Sequence, residues 1–239
     1  MPSPLDAIVH ELVSPPHPGL GVCSICRSVS YERADEHCEN CRDNESVLGP
    51  STPLTAISLY IRESKLRNWL TYYKDSSDES HGGEHVADQE ASETISLILD
   101  EFFRHRGSQL LTEASVDAIV VVPSTVRPPP HPLEVVLRVA SLSGVEISRP
   151  LIRTGAEVRH RFANRDAFKA TEDVSGRRLL LLDDVYTTGS YAQSASYALR
   201  AAGAEVTSLV AIGRRVNPDY SEEARFLWER QQKLHYIWN

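Results

Sequence analysis

The sequence predicts an α/β protein: a parallel sheet flanked by helices, with a small four-cysteine module at its N-terminal end. Three observations carry this. From Val116 onward, short continuous apolar runs alternate with helix-patterned segments, and strands that are apolar on both faces belong to parallel sheets covered on both sides. All four cysteines fall within one stretch, "CSICRSVSYERADEHCENC". The apolar run "RRLLLLDD" ends on two adjacent carboxylates and is followed by a polar loop containing a glycine. With 41% hydrophobic and 24% charged residues over 239 positions, the chain has ample material for such a core.

At the N-terminus, "MPSPLDAIVHELVSPPHPG" has no basic leading segment, and Asp6, His10 and Glu11 break its apolar run. It does not read as a signal peptide. No apolar run approaches the roughly 18 residues of a membrane helix, so the expected location is cytoplasmic, with no membrane partner.

Cys23 and Cys26 form one C-x2-C pair and Cys38 and Cys41 another, with eleven residues between the pairs. Each pair can offer two thiolates to one tetrahedral zinc ion, and four thiolates close the site, which makes it structural. Disulfides are the alternative for a secreted chain and a redox C-x2-C for a single pair. His37 abuts the third cysteine but is not needed as a ligand. Residues 1–50 hold Arg27, Arg33 and Arg42 against eight acidic residues. That balance suits a protein partner at the module better than nucleic acid.

"GPSTPLTAISLYI" reads as a connection into a short strand. "SKLRNWLTYYK" is an amphipathic helix with Ser64 as N-cap and Leu66, Trp69, Leu70 and Tyr73 at helical spacing. The aromatic cluster there reads as packing, and Lys74 carries no signal of its own. Residues 75–90 form an acidic linker, and Ala91 to Arg106 a helix. "VDAIVVVP" is a buried strand, and "HPLEVVLRVASLSG" a helix with Pro132 in its first turn and Gly144 past its end. "VEISRPLIR", "RRLLLLDD" and "AEVTSLVAIGR" are the further strands, with "YAQSASYALRAAG" a helix before the last. A terminal helix started by Asp219 or Ser221 must dock Ala224, Leu227 and Trp228. The expected divisions are 1–50 (zinc module), 51–110 (hood and connecting region), 111–216 (core) and 217–239 (C-terminal helix).

A net charge of −8 opposes general nucleic-acid binding, which needs clustered Lys and Arg. Arg153, Arg159, Arg161, Arg165 and Lys169 nevertheless cluster in one segment. Basic residues concentrated in an acidic chain point to a local anionic ligand.

In parallel sheets ligands bind beyond the carboxyl ends of the strands, where Asp183 and Asp184 are expected. "TTGS" then leads into a helix whose N-terminal amides can cradle a phosphate. The two carboxylates can accept hydrogen bonds from a vicinal diol or hold magnesium with its waters. Phosphate on the loop and diol on the acids together describe a ribose 5-phosphate. The plain alternative is that the acids end a strand and cap a helix.

"LLLLDDVYTTGSY" resembles the signature of type I phosphoribosyltransferases, which bind phosphoribosyl pyrophosphate (PRPP). With the four cysteines, the chain is similar to the ComF/GntX-like branch. "LRNWLTYYK", "VVVPSTVR" and "RFANRDAF" resemble further family segments, so the likeness runs from about residue 20 to 214. The resemblance implies a phosphoribosyltransferase that releases pyrophosphate, with PRPP and an unidentified acceptor as partners, Mg2+ bound with PRPP, and structural Zn2+. It implies that Asp183 and Asp184 bind the ribose hydroxyls and that Thr187, Thr188, Gly189, Ser190 and Tyr191 hold the 5-phosphate. Ser124, Thr125 and Arg127 would face the pyrophosphate. Arg159, Arg161 and Asn164 would lie on or beside a closing loop, with Arg161 acting on the leaving group. Tyr191 stands where the family usually has a small residue, "PPPHPLE" replaces an RGFNQ-like segment, and Tyr186 replaces an aliphatic residue. A homodimer is allowed. The competing functions are a PRPP-responsive regulator without turnover and a zinc adaptor in DNA uptake or processing. No G-x-G-x-x-G follows a strand, which disfavours a dinucleotide enzyme.

Overall fold

Leu179, Leu180, Leu181 and Leu182 are all fully buried, and they divide alternately between two apolar layers. Successive strand side chains point to opposite faces, so four leucines in a row fit a central strand of a sheet covered on both sides. The computed structural model describes residues 4–30, 37–74, 88–124, 130–139, 145–158 and 162–238. Thr125, Arg127, Arg159, Arg161, Gly144 and most of the acidic linker lie outside the described residues.

In chain order, a short helix α1 (Pro4–Val9) precedes the cysteine segment, which runs into α2 (Glu39–Leu48). β1 (Leu54–Tyr60) follows, then α3 (Lys65–Tyr72) with Ser64 as its N-cap, and α4 (Gln89–Phe102) with Asp88 as its cap. A π-helical turn over Phe103–Gly107 leads into α5 (Ser108–Glu113). Next come β2 (Ala118–Val121), α6 (Pro132–Val139), β3 (Glu146–Ser148), β4 (Leu151–Arg153) and β5 (Phe168–Ala170). β6 (Arg178–Tyr186), α7 (Ser190–Ala201), β7 (Glu205–Arg215) and α8 (Glu222–Gln232) complete the chain.

The main sheet has the order β1-β7-β6-β2-β3, and every neighbouring pair is parallel. The expected architecture is present, a parallel sheet with helices against it. One layer joins Ile57, Ile119, Leu180, Leu182, Val210 and Ile212 to α3, α4 and α6. The other joins Leu54, Val120, Leu179, Leu181 and Leu209 to α7, and it also contains all four cysteines.

Several elements differ from the sequence reading or refine it. "VEISRPLIR" is not one strand: β3 stays in the main sheet, while β4 leaves it and pairs antiparallel with β5. Pro150 sits at the break, where a residue without N–H cannot continue a ladder. The short strand expected at the end of "GPSTPLTAISLYI" is β1, and it forms the sheet edge beside β7. At the chain's end Ser221, not Asp219, caps α8 by accepting from Ala224 N at 3.1 Å. Ala224, Leu227 and Trp228 then dock on Val22, Val29 and Leu59. No helix among the described residues is long and apolar enough to cross a membrane.

Candidate functional site

The carboxyl end of β6 carries the two aspartates. Asp184 is buried and Asp183 half-buried. The Asp184 backbone N–H donates to Asp183 Oδ1 at 2.9 Å. Tyr73 Oη, just past α3, donates to Asp184 Oδ2 at 2.7 Å, and Lys74 Nζ pairs with the same oxygen. Burial would raise the Asp184 carboxyl, but the Lys74 charge and hydrogen bond, with the Tyr73 hydroxyl, hold it below its usual range. Asp183 moves the other way. Burial and then the neighbouring Asp184 charge push it up to about 8 against the pull of Lys74. Environment has therefore separated two adjacent carboxyls, one charged and one poised to lose a proton near neutrality, as functional sites often do.

Sequence reading missed Tyr73 and Lys74 as parts of this site. The helical spacing of Tyr73 shows only that it faces inward; its partner is 111 residues away, so no local pattern could name it.

Beyond the acids, Thr187 and Thr188 lead to Gly189, which adopts the left-handed conformation (φ 82°) as the N-cap of α7. A side chain here would meet Tyr186: a Cβ would lie 2.0 Å from the Tyr186 hydroxyl oxygen. Glycine thus meets both the backbone sign and the close approach. A glycine N-cap offers no side-chain acceptor, so the first-turn amides of α7 can face an anion. Thr188 Oγ1 and Ser190 Oγ are 3.1 Å apart beside it. From below, Asn44 Nδ2 of α2 donates to Thr188 O at 3.0 Å.

The structure thus brings Asp183, Asp184, Thr187, Thr188, Gly189 and Ser190 to one strand end. Ser124 follows β2, the strand beside β6, and is half-buried. Tyr191 is differently engaged: its hydroxyl donates to Val158 O at 3.0 Å and its ring lies 5.7 Å from the Arg153 guanidinium. Tyr191→Phe is therefore expected to cost about 0.5–1.5 kcal/mol of stability for one hydrogen bond, read by denaturant unfolding. Ribose 5-phosphate affinity should not change; a large drop would return the hydroxyl to the phosphate. The Asn164 side chain holds its own turn, donating to Glu157 O at 2.9 Å and accepting from Asp166 N at 2.9 Å.

The four cysteines converge on one point. Their sulfurs all lie within 4.8 Å of one another, with Cys23–Cys41 at 3.7 Å and Cys26–Cys38 at 3.5 Å. A tetrahedral ion with sulfur bonds of about 2.3 Å spaces its ligands by about 3.8 Å, so the set fits a four-thiolate metal site. The first pair sits on a knuckle in which Arg27 N donates to Cys23 O at 3.0 Å and Arg27 takes a positive φ of 60°. The second pair starts α2, with Cys38 as N-cap. His37 is not part of the cluster and pairs with Glu45 at 2.7 Å.

No protein-family model matches the chain. A 38-residue stretch is 58% identical to an orotate phosphoribosyltransferase of Nocardioides sp., covering 16% of this chain and 21% of that protein. The match thus spans about a fifth of the curated relative's length. Among solved structures, the chain is similar to adenine phosphoribosyltransferase from Saccharomyces cerevisiae at 15% identity. That alignment covers 72% of this chain and 99% of the yeast chain, with a TM-score of 0.41. It is similar to a phosphoribosyltransferase from Corynebacterium diphtheriae at 18% identity, covering 78% and 89%, with a TM-score of 0.35.

Proposed function

We propose that the protein is a type I phosphoribosyltransferase-like protein, close to the ComF/GntX-like branch, that binds PRPP and transfers its phosphoribosyl group to an unidentified acceptor. One observation carries the reading: the acid pair at the end of β6 runs directly into a left-handed glycine that opens α7. The match to an orotate phosphoribosyltransferase supports it. In this reading Thr187 to Ser190 and the α7 amides hold the 5-phosphate, and Asp183 and Asp184 accept hydrogen bonds from the ribose hydroxyls. The acceptor's lone pair forms the new bond at C1 while the C1–O bond to pyrophosphate breaks. Pyrophosphate leaves with that electron pair, and the acceptor loses its proton. Arg127, Arg161 and Ser124 are the residues assigned to the departing charge, where groups already in position stabilise the transition state most. Asp183 and Asp184 supply the hard oxygen donors that magnesium takes, and magnesium would neutralise pyrophosphate charge. The four cysteines hold structural zinc.

A regulator that binds PRPP without turnover is the second reading. It is favoured by "PPPHPLE", which stands where the resemblance leads one to expect an RGFNQ-like segment and so bears on the pyrophosphate side of the site and not on the ribose 5-phosphate side.

PRPP with Mg2+ at about a hundred times its Kd should add about 2.7 kcal/mol, raising the Tm by about 5–10 °C. Asp184→Asn should abolish the shift. Pyrophosphate release across a panel of nucleobases and amines then separates enzyme from regulator: release identifies the acceptor, and stoichiometric binding without release supports the regulator. No shift in the wild type removes both readings.

A further inference from the structure

One buried arginine joins the four-cysteine site to the loop after β6. Arg214, at the end of β7, is only 4% exposed. On the cysteine side, its Nε donates to Cys26 O at 2.8 Å and Nη2 to Cys26 Sγ at 3.6 Å. On the β6 side, Nη1 donates to Tyr186 O at 3.4 Å and also to Arg215 O. Four of the five guanidinium N–H groups are thereby engaged. The same guanidinium lies 5.5 Å from the centre of the Tyr186 ring.

Tyr186 passes the contact onward. Burial raises its phenol well above the ordinary range, so the hydroxyl stays protonated. That hydroxyl accepts from Gln193 Nε2 at 3.4 Å and lies against Gly189. A second strut leaves the cysteine module by α2, where Asn44, three residues past Cys41, holds Thr188 O. A cavity of about 180 Å³ is lined by Cys38, Asn40, Thr187, Thr188 and Arg214, so that the cysteine module, the loop and the arginine border one space. Thr187 and Thr188 thus face the cavity, while Gly189 and Ser190 are packed beneath.

Arginine suits this place for two reasons. Four thiolates on a divalent ion leave a buried net negative charge that needs a cation beside it. A planar fork can also serve two acceptor groups at once, which a lysine ammonium on a flexible stem cannot do in a fixed geometry.

We infer that Arg214 is a positioning residue that couples the four-cysteine metal site to the Thr187–Ser190 loop, so that metal occupancy sets the loop's grip on a phosphate. This rests on reading that loop as the phosphate cradle. A bound ion draws the sulfurs onto one centre and fixes the Cys26 knuckle. Arg214 then holds the end of β6 in place, and Tyr186 seats Gly189. Coupling of this kind is reciprocal, so phosphate at the loop must also be felt at the metal.

The test uses the full chain loaded with cobalt(II), whose visible absorption reports its thiolate shell, and ribose 5-phosphate as the probe. In the wild type, ribose 5-phosphate should shift the cobalt spectrum saturably. Arg214→Lys, which keeps the charge but loses the fork, should bind cobalt and ribose 5-phosphate with the spectral response gone. Tyr186→Phe keeps the packing and Arg214, and should retain cobalt with a reduced response, so the proposal stays testable if the lysine variant does not fold. Binding to the wild type with an unmoved spectrum overturns the coupling and leaves the phosphate loop standing. An undiminished response in both variants overturns the role of Arg214. No ribose 5-phosphate binding by the metal-loaded wild type overturns the loop reading and the coupling together.

Discussion

Cys41→Ser is expected to unfold the protein, not only its N-terminal module. Cys41 is completely buried and belongs to the same apolar layer as Leu179, Leu181, Tyr186 and the inner face of α7. Structural zinc contributes its binding free energy to folding, on the order of 10–16 kcal/mol in isolated zinc-finger peptides. A whole domain is stable by only about 5–15 kcal/mol. Losing one of four thiolates therefore removes an amount comparable to the entire margin. The expected result is metal content falling from about one ion per chain to a trace, with a single main transition moved down by more than about 10 °C. Chelation of the wild type should reproduce it. A detachable module would behave otherwise, losing its metal while the main transition stayed in place. Metal-free protein with an unchanged Tm would falsify the integrated site.

Much of this fold was legible because its cause is local. The runs around Ile119, Leu180 and Val210 are apolar on consecutive residues, and only a strand covered on both faces has use for that. Ser64 and Ser221 announce α3 and α8 because capping is read within three residues. α2 was not legible: Glu39 to Leu48 is mostly polar, and its helix is held by Cys38, Cys41 and Asn44 facing the core. β5 was hidden for a related reason. Phe168–Ala170 is too short to show a period, and its pairing depends on β4 leaving the sheet after Pro150.

The site divides along the same line. Asp183 to Ser190 was readable because strand, acids, loop and helix are contiguous, and the cysteine set because spacing constrains ligation. Tyr73, Lys74 and Arg214 were not. Each reads locally as an ordinary helix-end or strand-end residue, and each gains its role from a partner more than a hundred positions away. Asn44 on Thr188 follows the same pattern, at a separation of 144.

Lys74→Met should expose how much the site depends on such a partner, and its cost should vary with pH in a definite direction. Lys74 is the cation paired with buried Asp184, and the Asp184 carboxyl is held below the usual 3.8. A carboxyl with a lowered folded pKa contributes stability at pH values above its unfolded value, and that contribution fades as pH falls through the folded one. Without Lys74, burial dominates and the folded pKa of Asp184 rises, so the sign reverses: the variant loses stability as pH climbs past about 3.8. Breaking a fully buried pair costs about 3–5 kcal/mol and an exposed one at most about 1. With the Lys74 side chain 31% exposed and Asp184 at 7%, about 1–3 kcal/mol is expected at pH 7, fading as pH falls through the lowered folded value of Asp184. Adding Asp184→Asn removes the stranded charge, so the double variant should be more stable at pH 7 than Lys74→Met alone. Ligand binding should follow the charge: Lys74→Met raises both acids, and PRPP affinity at pH 7 should fall and then recover as pH is raised towards 9. A penalty that stays constant from pH 4 to 8, or a double variant no better than the single, would mean that Lys74 acts through packing and not through the Asp184 charge.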